Sequence, residues 1–188
     1  MMDELPMVFG MCIQLFCILT IFPSSKRRNH VIIATLSLFA TTFTLLYLYS
    51  KNPLFHEACF GLLVALTAVV LPYQIRSLSK SEPDTNAWRL YMISLLSFLG
   101  GWALWLFENT HCEALRGIRN RLGYPLRVVT EFHALYWHFG TVLSVYSSNL
   151  LVCYLRIKAA GKVAVNVQWN WHICGWLSKN ENVKSKQC

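Results

Sequence analysis

The sequence predicts an all-α membrane protein, a bundle of about five transmembrane helices, on three observations. Hydrophobic residues make up 55% of the chain and charged residues only 14%, with a mean hydropathy of +0.39. Soluble domains average about 25% charged residues, so too few are present here to cover a water-facing surface. The apolar residues also fall into long runs, near the roughly 20 residues that a helix needs to cross the hydrocarbon core. Finally, seven Trp, eight Tyr and eleven Phe supply the rings that anchor helices at a bilayer interface. A soluble helical protein with a greasy core would not carry so many runs of this length.

The first run, Leu5 to Phe22, ends at Pro23-Ser24-Ser25 ahead of the basic Lys26-Arg27-Arg28. The second spans Val31 to Tyr49 and gives way to Ser50-Lys51-Asn52-Pro53. The third covers Phe55 to Leu71, with Pro72 marking its end or a kink, because proline removes a helix N–H donor. A polar stretch, Arg76 to Asp84, leads to the fourth run, Trp88 to Phe107. A polar connector from Glu108 to Pro125 precedes the fifth, Val128 to Tyr154, which is long enough to tilt or to begin in a polar cavity. Residues 1–157 are thus expected to form the bundle and residues 158–188 a polar tail. Within that tail Val163 to Trp171 alternates apolar and polar residues and Trp176 follows, as in an interfacial segment anchored by Trp. His172 and Cys174 lie there too, but two residues do not make a metal site.

The net charge of +8 does not indicate nucleic acid, because the basic residues sit in short clusters between apolar runs and form no stripe with interleaved aromatics. Asp3 and Glu4 stand where a secretory signal peptide is basic, which argues against one. The seven Cys are odd in number and include no CxxC, so they read as small core hydrophobes rather than a disulfide framework. Lys51, Arg116, Arg119, Arg121 and Arg127 fall on one side of the membrane and the other basic residues on the opposite side. The positive-inside rule then places the C-terminus in the cytosol.

A charge at the bilayer centre costs about 2.5–3.5 kcal/mol on insertion scales, so polar residues in or beside the spans are the functional candidates. Asp3 and Glu4 precede the first span, His56 and Glu57 open the third, and Glu131, His133 and His138 lie early in the fifth. Imidazole is the commonest metal ligand, and His133 and His138 are close in sequence. Their i,i+5 spacing sets the rings about 140° apart on a regular helix. A π-bulge between them would restore a shared face. Spacing alone leaves two readings open, a zinc pair or two separate histidines hydrogen-bonded at a helix end. Ser37, Thr41, Thr42 and Thr44 are scattered as in helices that pack through small polar residues, whereas a transporter or channel would need a continuous polar stripe.

Four stretches carry a resemblance. Asp3-Glu4-Leu5-Pro6-Met7, Asn52-Pro53-Leu54-Phe55-His56, Glu108-Asn109-Thr110-His111-Cys112-Glu113-Ala114-Leu115-Arg116, and Phe132-His133-Ala134-Leu135-Tyr136-Trp137-His138 with Thr141 occur in that order. Together they resemble the motifs of the alkaline ceramidases, most closely the alkaline phytoceramidase type. The resemblance implies an intramembrane amidohydrolase that splits ceramide or phytoceramide into a sphingoid base and a fatty acid, in an endoplasmic reticulum or Golgi membrane. It implies a zinc held by three His, two of which correspond to His133 and His138, and an active-site Asp corresponding to Asp3. The family fold has seven spans, so this bundle corresponds to the last five. The third His, a nearby Ser and an acidic calcium-binding segment belong to the family's portion before Asp3. Two further departures are the extra residue between His133 and His138, and Glu108 and His111 in place of the motif's Asp and Phe. His56, His111 or His172 are the candidates to replace the missing ligand, with no ground in the sequence for choosing. The alternatives to an active hydrolase are an inactive membrane fragment or isoform that pairs with the full-length enzyme, and a small transporter or channel.

Overall fold

The computed structural model describes residues 4–79, 83–161, 165–170 and 173–179. Its helices are α1 (Glu4–Leu19), α2 (Lys26–Ser50), α3 (Pro53–Leu78), α4 (Thr85–Thr110), α5 (Cys112–Leu122), α6 (Leu126–Val129), a π-helical segment (Phe132–Trp137) and α7 (His138–Ala160). Two strands, β1 (Val165–Asn170) and β2 (Cys174–Lys179), pair as a ribbon. The residues group into two compact units, one made of 1–87, 152–167 and 177–188 and the other of 88–151 and 168–176.

In the first unit, α1 to α3 share an apolar core. Val8, Cys12 and Leu15 line one face of α1 at helical spacing, Phe43 and Tyr47 do so on α2, and Leu63 meets them from α3. Aromatic packing organises this core. Phe43 stacks on Tyr47 at 5.7 Å and on Phe55 at 5.5 Å between ring centroids. His56 lies among the rings of Phe43, Tyr47 and Phe60, and only 7% of its surface is exposed.

The helix ends follow local chemistry. Ser25 caps α2 by accepting the N–H of Arg28, Lys51 closes it in a left-handed conformation, and Asn52 caps α3 ahead of Pro53 in its first turn. The last carbonyls of α1 have no partners within their own helix, and side chains supply them. Cys17 accepts from Arg156, Ile18 from Gln74 and Leu19 from Arg28. Two of these donors are cations, which suits the negative end of a helix. Asp84 does the opposite work before α4, accepting the Ala87 N–H at 3.0 Å, the Tyr154 hydroxyl at 2.9 Å and the Lys158 ammonium. Burial pushes the Asp84 carboxyl up, but the hydrogen bonds from Lys158, Ala87 and Tyr154 and the Lys158 charge outweigh it and hold it below the usual carboxylate range.

Three of these elements depart from the sequence expectation. The third helix runs through Pro72 to Leu78 rather than stopping there. Proline is tolerated inside membrane helices, where neighbouring groups take up the carbonyl it leaves. The connector after Phe107 is largely helical, since α5 carries Leu115, Ile118 and Leu122 at helical spacing before Gly123 at φ +63°. The alternating tail segment contains strand β1, as a period of two favours, and pairs with β2 beyond it.

Among the described residues, α2, α3 and α4 are long and apolar enough to cross a membrane. Their apolar side chains point outward as well as inward, with Leu38 69%, Leu62 55%, Val69 71% and Leu96 60% exposed. Helices that are apolar all round and unburied are suited to lipid as their solvent. The described part of α1 is shorter at 16 residues. The last helix follows directly on the π-helical segment and carries Ser144, Ser147, Ser148 and Asn149 along its length. The fold is that of an all-α membrane protein.

Candidate metal centre

Within the second unit, α4 and α7 approach closely. Ser94 donates to the Ser144 carbonyl at 3.0 Å, and the two hydroxyls lie 3.2 Å apart. A Cβ on Gly140 would stand 2.6 Å from the Ser97 carbonyl oxygen, and one on Gly101 would stand 3.3 Å from the Tyr136 oxygen. Glycine is required where two backbones come this near. Above this crossing the aromatic residues of the π-helical segment lean on α4. Trp137 meets Phe98 edge-on at 5.7 Å, and Phe132 meets Phe107 at 5.8 Å. Beyond the other end of the crossing, Arg89 stacks on Trp169 at 4.1 Å and Tyr146 donates to the Gly175 carbonyl at 2.6 Å.

The π-helical segment contains His133 and runs directly into His138, the first residue of α7. A π turn closes after five residues instead of four, so side chains at i and i+5 return to one face. The imidazole rings of His133 and His138 accordingly stand 5.4 Å apart between centroids, inclined by 33°. Two imidazoles on one tetrahedral zinc, each about 2.0–2.1 Å from nitrogen to metal, hold their centroids roughly 5 Å apart. Both side chains are exposed, so neither is committed to a packed core. The pair therefore fits a shared metal ion as two of its ligands.

Among the described residues no group of three His, Cys, Asp or Glu side chains comes together as a metal site. A catalytic zinc takes three protein ligands and an open position, and the described residues bring two candidate imidazoles together. His111 stacks on Phe107 at 4.5 Å, and its Nδ1 lies 2.9 Å from the Thr110 hydroxyl. His56 is held in the aromatic core described above. Asp3 and His172 lie outside the described residues.

A polar network that the sequence does not signal supports the start of the π-helical segment. The Glu108 carboxylate pairs with Arg119 through one oxygen and accepts the His133 backbone N–H through the other. The same Arg119 nitrogen donates to the Thr130 carbonyl. Glu108 and Arg119 are 15% and 16% exposed, so this part of the polar connector is largely shielded. Arg116 and Arg121 do face outward. Eleven residues separate Glu108 from Arg119, too far for a helix-spacing rule to pair them; the bend between α4 and α5 brings them together.

The ceramidase family profile matches residues 1–178. Alkaline ceramidase 3 of Mus musculus is 36% identical over 156 residues, covering 83% of this chain and 56% of the mouse protein. Alkaline ceramidase YPC1 of Saccharomyces cerevisiae is 28% identical over 190 aligned residues, covering 92% of this chain and 59% of the yeast protein. The chain thus spans somewhat over half the length of these curated relatives. With a family match over nearly its whole length and a membrane-type helical fold, this chain belongs to the ceramidase family.

Proposed function

We propose that this chain is an intramembrane, zinc-dependent amidohydrolase that cleaves ceramide or phytoceramide into a sphingoid base and a fatty acid. The observation that carries this reading is the convergence of His133 and His138 across the π-helical turn, in a chain matched to the ceramidase family. The names of both relatives describe them as alkaline ceramidases, which supports the substrate class.

His133 and His138 would hold zinc through their neutral imidazoles. Bound zinc supplies two things to amide hydrolysis, an activated water and a polarised carbonyl. Asp3, by its place in the motif, would take the proton of the attacking water and deliver it to the departing amine nitrogen as the C–N bond breaks. The apolar faces of the helices suit the two hydrocarbon tails and limit water at the reacting carbon. An endoplasmic reticulum or Golgi membrane is the compartment this reading implies, and the reaction requires no nucleic acid.

The test is turnover of ceramide by the purified chain in lipid nanodiscs, run in ¹⁸O-labelled water. Hydrolysis puts the label into the fatty acid carboxylate and releases unlabelled sphingoid base. Absence of both products, with the chain folded, would overturn the assignment and favour a non-catalytic member that pairs with a longer enzyme.

A further inference from the structure

We infer that Glu108 and Arg119 act together as a positioning clamp, fixing the backbone at His133 so that its ring meets that of His138. This inference rests on reading the two histidines as a metal pair, and it adds two residues that the reading does not itself require.

The starting point is the weakness of a π-helical turn. Such turns are rare and short, and they occur mostly as single-turn bulges inside α-helices. The first N–H groups of a helix also have no partners inside it. Here the helix begins at Phe132, and the N–H of the next residue, His133, is taken by the Glu108 carboxylate. A carboxylate at a helix N-terminus is favourable in charge as well as in hydrogen bonding.

Arg119 completes the arrangement. It neutralises Glu108 and at the same time holds the Thr130 carbonyl, two residues before the helix starts. The chain on either side of Glu131 is therefore tied at Thr130 and at His133 to one ion pair, whose members sit on α4 and α5. With both side chains only 15–16% exposed, this pair is shielded from the screening that makes surface pairs weak. By contrast, Arg127 and Glu131 nearby are 58% and 35% exposed and 3.6 Å apart, as a solvated pair is.

The geometry also separates this role from catalysis. Both carboxylate oxygens of Glu108 are engaged by Arg119 and by a backbone N–H, so Glu108 acts on the position of the His133 backbone and not as a metal ligand. Residues that orient metal ligands typically contribute about 10–100-fold to metal affinity.

The experiment uses copper(II) iminodiacetate, whose open positions accept two imidazoles, on the full chain in detergent. Electron paramagnetic resonance then distinguishes two-nitrogen from one-nitrogen coordination by protein imidazole. The chain itself is expected to give the two-nitrogen signature. Glu108→Ala and Arg119→Gln are each expected to raise the half-saturating copper concentration about tenfold and to move the signal toward one nitrogen. The double variant is expected to lose no more than the worse single variant, because the two residues act as one unit. Glu108→Asp should recover part of the loss, and Arg116→Gln, exposed on the same helix, should change nothing. If Glu108→Ala does not fold, Arg119→Gln carries the test. Unchanged copper affinity and signature in a folded Glu108 or Arg119 variant would overturn the clamp while leaving the metal pair intact. Failure of the unmodified chain to show two nitrogens would instead overturn the metal pair, and the clamp with it.

Discussion

The same side chain serves opposite ends in the two compact units. In the α1–α3 unit, His56 is buried and packs its ring against Phe43, Tyr47 and Phe60. In the α4–α7 unit, His133 and His138 are exposed on a widened turn, facing one another at 5.4 Å. Both settings are apolar helices of one chain. What differs is the backbone: a regular helix tucks one imidazole into a ring stack, whereas a π-helical turn brings two onto one face. Residue type alone therefore says little about which histidine can bind a metal.

Several changes would break or sharpen that contrast. The largest stability effect is expected from His56→Ala. Deleting a ring from the packed core leaves a cavity and should cost about 3 kcal/mol, read as a lower midpoint of thermal unfolding, with copper binding at the other pair unaffected. His56→Phe should restore part of that loss, through ring packing against Phe43, Tyr47 and Phe60. Retained stability in His56→Ala would show that the ring is not part of the packing.

Gly140→Ala comes next. The added methyl would meet the Ser97 carbonyl oxygen at 2.6 Å, and backbone cannot move aside as a flexible side chain can. Overpacking of this kind costs about 1–3 kcal/mol, and here it should also separate α4 from the helix bearing His138. Gly101→Ala, with its nearest contact at 3.3 Å, should cost less. Equal effects from the two would argue that the crossing is looser than its geometry implies.

A smaller effect is expected at Asp84. Its carboxyl is held below the ordinary value near 3.9, so the stabilisation it gives is complete above about pH 4 and is lost as pH falls through the lowered folded value. Asp84→Asn should abolish that part of the pH dependence. Thermal unfolding between pH 6 and 3, at about one-unit steps, would show a flatter profile in the variant than in the parent chain. Identical profiles would exclude a contribution from Asp84. The last change is expected to do almost nothing. Deleting Leu135 removes one residue from the π-helical turn and converts the i,i+5 pair into i,i+4, which shares a face on an ordinary α-helix. Two-nitrogen copper coordination should survive, and its loss would mean that the π-helical turn does more than set the register.

The sequence reading and the structure agree where hydrophobic runs decide the outcome. The three helices long enough to cross a membrane follow from the apolar runs around Val31 to Tyr49, Phe55 to Leu71 and Trp88 to Phe107. Pro72 misled the third boundary, because a proline that ends a soluble helix can sit inside a membrane one. The connector helix α5 was legible in the spacing of Leu115, Ile118 and Leu122, but its charged residues made it read as a polar connector. The i,i+5 spacing of the histidines told against a shared face unless a π turn intervened, and a π turn cannot be inferred from side-chain type. The Glu108–Arg119 pair was not legible at all, because it depends on how the chain bends between α4 and α5.

The most direct measurement is zinc content together with ceramide hydrolysis, on the purified chain and on its His138→Ala variant. If His133 and His138 form the metal centre of an amidohydrolase, the chain carries zinc and releases sphingoid base, and the variant loses both by more than the roughly 100-fold upper range of a supporting residue. Hydrolysis that persists unchanged in the variant, or a folded chain that carries neither zinc nor activity, would contradict it.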